Sequence, residues 1–574
     1  MFNIRKLFGE KGDNPLASVE EVTTILAHLP VNDPIQSLNE LTHWLTQLAT
    51  KDDQKLKKRL ALVARFDQVG RPSLRKLLAE YVETPRMHKT REDMIWNACS
   101  QFTAAASDAA SRCVSDYLTK GSSGVSPEEV AAIAVRGVRA LGMQAHWLRL
   151  RYQPLPPGMW DRIYAIFSVM EQNRLCRMPV VLNKLTKIPS SVLMEMTKIL
   201  MMEISGLEHL TKSQIELARQ LIEEFAPSFV WEDLPGGEAV FYIDFAARKP
   251  PLRLTQVTEP HFMSRCFGPG DAVRSLVSAI KQLEAGGIPK EFDIRRYTDY
   301  KREDLLEVLL HLAQAWSRIK PQEEHFHYDK RRGERTKVFS HLEVIHGLGD
   351  IHKEMLRLEL RAKHLYAEDN VEKVTFNEVV DLHIYGFVTE KTREQMKLDS
   401  DTIGLVEPPV HTESWVVENV SVKGYGLTIP DGKLDWVKEN IVLGLKEEGS
   451  GWTIGVIRRI EMKSKVETHV GILMLSRQPM AASLRPADTE VTVWEIADDT
   501  NSYQHTNALF LRAEAPLLSE DSLLLASGTY NLHTIYELTT SEGKRLIRLD
   551  VCEDVYGDTD RVVFSLVDGG RRRE

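Results

Sequence analysis

Arg331, Arg332 and Arg335 stand together as R-R-x-x-R just ahead of a strand-like run at 338–345. Asn419, Ser421 and Gly424 form N-x-S-x-x-G at the end of a second run, 415–420. These residue types can serve recognition of phosphate and of a flat, hydrogen-bonding base. Two arginines four positions apart on a loop can grip phosphate oxygens with paired N–H donors and lay guanidinium planes over a purine face. The same fork matches the O6 and N7 acceptors of guanine. An asparagine amide and a serine hydroxyl offer small donors and acceptors to a base edge. Glycine at the end of the second motif lets the backbone turn without a Cβ clash. Neither group is specific alone, since R-R-x-x-R recurs on solvated surfaces. The sequence after Gly424 supplies the context.

From 425 onward the chain reads as successive short strands, 425–429, 439–445, 452–460 and 469–475. They are separated by Pro430-Asp431-Gly432, by the polar, glycine-bearing 447–451 and by the charged 461–467. Short strands with turns at this spacing predict a barrel or sandwich rather than a βαβ unit. With 338–345 and 415–420 they make six strands. The arginine loop, the N-x-S-x-x-G turn and this strand order together resemble the PilZ domains, small β-barrels that bind cyclic di-GMP. The resemblance implies cyclic di-GMP as ligand, with no other cofactor and no metal. It implies that Arg331 and Arg335 contact phosphates and guanine faces, with Arg332 as an additional contact. Asn419 and Ser421 would read a guanine edge, and Gly424 would hold the turn.

The departure from the family pattern is the 83 residues between Arg335 and Asn419, where a plain barrel needs one strand and a turn. Most of the excess is an insertion at about 348–409. Leu348, Ile351, Met355, Leu358, Ala362 and Leu365 follow 3-4-3-4-3 spacing, an apolar seam on one helix. Thr375 with Glu378 is a capping-box signature opening a second segment, 376–396, whose centre alternates enough to leave a strand open. The seam packs either on this chain's own domains or against a second copy, which would make a homo-oligomer through the insertion.

These motifs must be held by a chain of 574 residues, long enough for three or four domains. Residues up to about 235 read almost wholly as helix. Ser18 with Glu21, and Ser126-Pro127-Glu128-Glu129, are strong N-terminal signals. After the second, Val130, Ile133, Val138, Leu141 and Trp147 mark one helical face. No fixed repeat period emerges, so an irregular bundle or solenoid is expected. Runs 238–246 and 251–257 then read as a strand pair, 271–284 and 300–319 as helices, and 320–330 as a charged linker. The tail is strand-rich at 491–496, 508–513, 530–538, 544–551 and 561–567. The expected fold class is therefore multidomain α+β. It comprises an α-helical domain (1–235), a small α+β module (236–320), a PilZ-like β-barrel (321–480) carrying the insertion, and a C-terminal β domain (481–574).

Composition excludes several function classes. The chain is 43% hydrophobic and 27% charged, with a net charge of −9 and a pI near 6.1. Bulk charge argues against a general binder of nucleic acid or anionic membrane, although the basic 330–337 suffices for one small dianion. No apolar run approaches the roughly 18–20 residues of a membrane span. Five scattered cysteines without a C-x-x-C pair suit a reducing, cytoplasmic setting. His325-x-His327 lacks a third metal ligand at helical or hairpin spacing. Gly268-Pro269-Gly270-Asp271 reads as a turn opening a helix, without a Walker lysine. No H-E-x-x-H, G-x-S-x-G or carboxylate constellation is present, so the chain reads as a receiver of signal and not an enzyme. The expected function is a cyclic-di-GMP effector that couples nucleotide binding to a protein partner, unidentified from sequence, through the helical domain. The alternative is a scaffold built on a PilZ-shaped barrel that binds no nucleotide.

Overall fold

The computed structural model describes residues 19–51, 55–84, 86–120, 124–156, 158–182, 188–207, 210–233, 236–256, 263–317, 336–362, 410–429, 436–447, 449–462, 468–487 and 505–567. The chain divides into two compact units, Met1–Phe326 and His327–Glu574. It is a mixed α/β protein with a helical N-terminal region and two closed six-stranded barrels.

The first unit opens with helices α1 (Val19–Ala27), α2 (Pro34–Thr50), α3 (Leu56–Glu83), α4 (Lys89–Lys120), α5 (Pro127–Arg149), α6 (Gly158–Gln172), α7 (Val192–Ile204) and α8 (Lys212–Phe225). Their starts are written locally. At α5 the Ser126 hydroxyl accepts from Glu129 N (3.2 Å), the Glu129 carboxylate accepts from Ser126 N (2.8 Å), and Pro127 occupies the first turn. Thr211 and Gln214 cap α8 in the same reciprocal way. Ser18, expected as a further cap, lies outside the described residues. The predicted face of α5 is fully buried, Val130 through Trp147. Several charges enter the interior only in pairs: Arg59 with Asp116, Asp67 with Arg136, and Glu195 with Arg139.

The small α+β segment shares this core. After the short antiparallel pair β1 (Val180–Val181) and β2 (Pro189–Ser190), strands β3 (Val230–Glu232), β4 (Phe241–Asp244), β5 (Leu252–Arg253) and β6 (Ser264–Gly268) form an antiparallel sheet in the order β3-β6-β4-β5. Helices α9 (Ala272–Glu284) and α10 (Arg302–Trp316) follow. One continuous cluster of buried residues runs from Val22 to Trp316. Phe167 of α6 stacks on Phe245 at 5.3 Å, and Trp316 Nε1 donates to Ser205 Oγ at 2.9 Å. Strands of two to five residues cannot bury a face of their own, so the sheet completes its core with the helices. The central strand β6 went unread in sequence because its five residues begin with Ser-Arg and carry no alternation.

In the second unit all six strands expected for the first barrel are present. They are β7 (Thr336–His346), β8 (Glu413–Ser421), β9 (Gly424–Ile429), β10 (Val442–Glu447), β11 (Trp452–Met462) and β12 (Thr468–Ser476), closed in the order β10-β11-β12-β9-β8-β7. Alternating residues fill the lumen, among them Leu342, Trp415, Val417, Leu427, Ile457 and Val470. After β7, Gly347 takes φ +87°, a conformation open to glycine, and the chain enters α11 (Leu348–Ala362).

The second barrel comprises β13 (Met480–Pro486), β14 (Thr506–Leu511), β15 (Ser522–Ala526), β16 (Ile535–Thr540), β17 (Gly543–Tyr556) and β18 (Thr559–Leu566), ordered β13-β14-β15-β18-β17-β16. The expected strand 491–496 lies outside the described residues. Two strands escaped the sequence reading: β13, which ends in Arg-Pro, and β15, a short continuous apolar run.

Helix α11 answers the question of the seam. Leu348, Ile351 and Met355 are buried in one cluster with Val442 and Ile454 of the first barrel and Ala481, Leu509 and Leu511 of the second. His352 Nε2 donates to the Ala482 carbonyl (3.0 Å), and Glu359 accepts from Ala481 N (2.8 Å). At these positions the seam packs on the chain's own barrels, the first of the two expected arrangements. Leu365 and the second inserted segment, 376–396, lie outside the described residues.

Candidate ligand-binding site

Asn419 and Ser421 sit at the end of β8, and Gly424 opens β9 after the two-residue connection Val422-Lys423. Ser421 Oγ donates to the Gly424 carbonyl at 3.2 Å, and Met474 N donates to the Lys423 carbonyl at 2.9 Å. Arg477 adds a further tie, donating to the Val422 carbonyl (2.9 Å) while pairing with Glu514 of the second-barrel segment (2.7 Å). The connection is thus held from three sides.

Gly424 is required for a reason the sequence did not give. Its φ is not in the left-handed region. Instead, a Cβ there would fall 1.9 Å from the Ile472 carbonyl oxygen of β12. The close approach of two backbones, rather than turn conformation, selects glycine. Two residues on, a Cβ at Gly426 would meet both Asn419 Oδ1 and Nδ2 at 2.7 Å. The Asn419 amide therefore occupies the space that a side chain at 426 would take. Gly426 escaped the sequence reading, although an isolated glycine inside a strand signals such an approach.

Register sets the start of β7 beside the N-x-S-x-x-G end of β8. In the β7–β8 ladder Thr336 is the partner of Val420, and Lys337 the partner of Asn419. Arg335 is bonded to Thr336, so the arginine motif ends one residue from a position paired between Asn419 and Ser421. Arg331, Arg332 and Arg335 themselves lie outside the described residues, as do His325 and His327.

Polar groups continue along the barrel's outer face. Glu418 accepts from Thr428 Oγ1 (2.7 Å) and lies 3.0 Å from His469 Nδ1, a buried imidazole. Burial pushes the Tyr425 hydroxyl above its ordinary range; Glu447 adds to this and Arg477 opposes it, so the phenol stays neutral at pH 7. Among the described residues no group of three His, Cys, Asp or Glu side chains is placed to hold a metal ion. Among them, too, no helix is long and apolar enough to cross a membrane.

The six-stranded closed barrel, with the N-x-S-x-x-G turn at one end, is consistent with a PilZ-like fold. Neither the curated proteins nor the solved structures compared with the chain gave a match. Residues 20–235 of the helical region match the family model described as "Cyclic-di-GMP receptor FimW, N-terminal domain".

Proposed function

We propose that this chain is a cyclic-di-GMP effector that binds the nucleotide at the Asn419–Gly424 end of the first barrel and passes its occupancy to a protein partner. The observation that carries this reading is the β7–β8 register, which sets the strand following R-R-x-x-R directly beside N-x-S-x-x-G. Arg331 and Arg335 supply charged donors to the phosphates and planes for the guanines, and Arg332 is an additional contact. Asn419 and Ser421 address a guanine edge. The match of the helical region to a domain of a cyclic-di-GMP receptor supports the same ligand from an independent part of the chain. The chemistry asked of these residues is recognition, with no bond made or broken. The five cysteines are free thiols, which fits a reducing cytoplasm.

Titration calorimetry with cyclic di-GMP tests the site. Removing a charged partner from a ligand phosphate costs about 1.5–3 kcal/mol, so Arg331→Ala or Arg335→Ala weakens binding by roughly one to two orders of magnitude. A wild type without heat of binding, or two mutants that bind like wild type, sinks the assignment and favours the scaffold reading. Coupling to a partner is read by hydrogen exchange. Neutralising Lys330, Arg331, Arg332 and Arg335 with a dianion should protect 320–337 and alter exchange at a surface of the helical region. Protection confined to the barrel argues against transmission.

A further inference from the structure

The outer-face row that contains Asn419 runs unbroken across five strands. Lys337 of β7 pairs with Asn419 of β8, Asn419 with Gly426 of β9, Gly426 with Gly471 of β12, and Gly471 with Arg459 of β11. Residues in register across antiparallel strands share a face, and the alternate positions Leu427, Val470 and Ile472 point into the barrel core. The middle of the row is thus two adjacent glycines facing outward.

Both glycines are covered from the side, and in the same manner. A Cβ at Gly426 would strike the Asn419 amide, and a Cβ at Gly471 would come within 2.7 Å of Arg459 Cγ and 2.9 Å of its Nε. The register shifts just before each of these polar residues, between Val417 and Asn419 on β8 and between Ile457 and Arg459 on β11. Each shift leaves one extra residue, Glu418 or Arg458, and such bulges re-aim the neighbouring side chain. Two bulged strands therefore lean a polar side chain inward over a shared glycine floor. Asn419 and Arg459 stand on either side of it, three strand spacings or about 14 Å apart along the backbone.

We infer that Arg459 is a further ligand-contacting residue of this site, meeting a guanine of cyclic di-GMP across the Gly426–Gly471 floor from Asn419. The inference rests on the proposed nucleotide site. A floor without side chains lets a flat base approach the sheet. The aliphatic stem of Arg459 lies on Gly471, which limits the rotamers its guanidinium must lose on binding. A guanidinium on this stem can present two parallel N–H donors to guanine O6 and N7 by exchanging its present partner for the base, a contact a single ammonium cannot reproduce. Arg459 sits 124 positions after Arg335 and belongs to neither motif, so only strand register associates it with the site.

The experiment is calorimetric titration of cyclic di-GMP into full-length wild type, Arg459→Ala and Arg459→Lys, with the melting temperature of each ligand-free protein recorded beside it. The expected result is a ten- to hundredfold weaker dissociation constant for Arg459→Ala at unchanged melting temperature, and no recovery in Arg459→Lys. Should Arg459→Ala melt early, Arg459→Gln, which keeps the stem on Gly471, carries the test: weakened binding sustains the inference and wild-type binding overturns it. Full recovery by Arg459→Lys also overturns it, because charge alone would then suffice. A silent wild type overturns the nucleotide site together with this inference, whereas a binding wild type with an indifferent Arg459 overturns this inference alone.

Discussion

Gly424 and Gly426 are two residues apart in one motif, yet they answer to different atoms. A methyl at 424 meets the Ile472 carbonyl, fixed backbone in the neighbouring strand. A methyl at 426 meets the end of the Asn419 side chain, which can rotate away. Gly424→Ala should therefore act on stability, at about 1–3 kcal/mol as for other overpacked sites, seen as a lower denaturation midpoint. Gly426→Ala should leave the midpoint within about 0.5 kcal/mol of wild type and weaken cyclic-di-GMP binding by displacing Asn419. Equal loss of stability in both variants would show that Asn419 is locked in place and that the two glycines do one job. The sequence supplied the glycine at 424 but assigned it to turn conformation. Its actual partner is 48 residues away in β12, beyond the reach of any local rule.

Helix α11 shows how an element can be read correctly and its role left open. The 3-4-3 spacing of Leu348, Ile351, Met355 and Leu358 implied a helix with one apolar face, which the structure contains. Spacing says that a face must be buried, not by what. Here the occupants are the two barrels, with His352 and Glu359 fastening the helix to β13. Ile351→Ala should then cost about 2–5 kcal/mol, the usual range for emptying a packed aliphatic site, and loosen the second unit. Chemical denaturation followed by tryptophan fluorescence measures this, and light scattering should show the same mass for variant and wild type. A change in mass with stability intact would return the seam to an interface between copies.

At the scale of the whole molecule, the helical unit carries charge into its interior, and that sets its response to acid. Burial pushes the Glu195 carboxyl up, but Arg139, Lys198 and Ser190 overcome it and hold it down at about 2, against an ordinary 4.5. A carboxylate depressed in the folded state adds stability above its unfolded pKa and loses it as pH falls through the folded value. The first unit should therefore lose on the order of 3 kcal/mol from this group between pH 4.5 and about 2. Glu195→Gln should melt earlier at pH 7 and show a shallower decline through the same window, read by circular dichroism. A variant with an unchanged slope would remove Glu195 from the acid response.

The sequence by itself determined the local features: the reciprocal cap at Ser126 and Glu129, the buried face of α5 and the six strands of the first barrel. Each depends on residues within a turn or two of one another, where periodicity and hydrogen-bonding type suffice. Tertiary structure alone decided what met across distance. It brought Lys337 beside Asn419 over the insertion, put β6 at the centre of a sheet, closed the small α+β segment into the helical core, and aligned Arg459 with Asn419 over two glycines. Strand register is set by non-local pairing, and a slip of one residue moves every side chain to the other face. No local pattern encodes that choice, so the row of residues in register with Asn419 became visible only when the barrel closed.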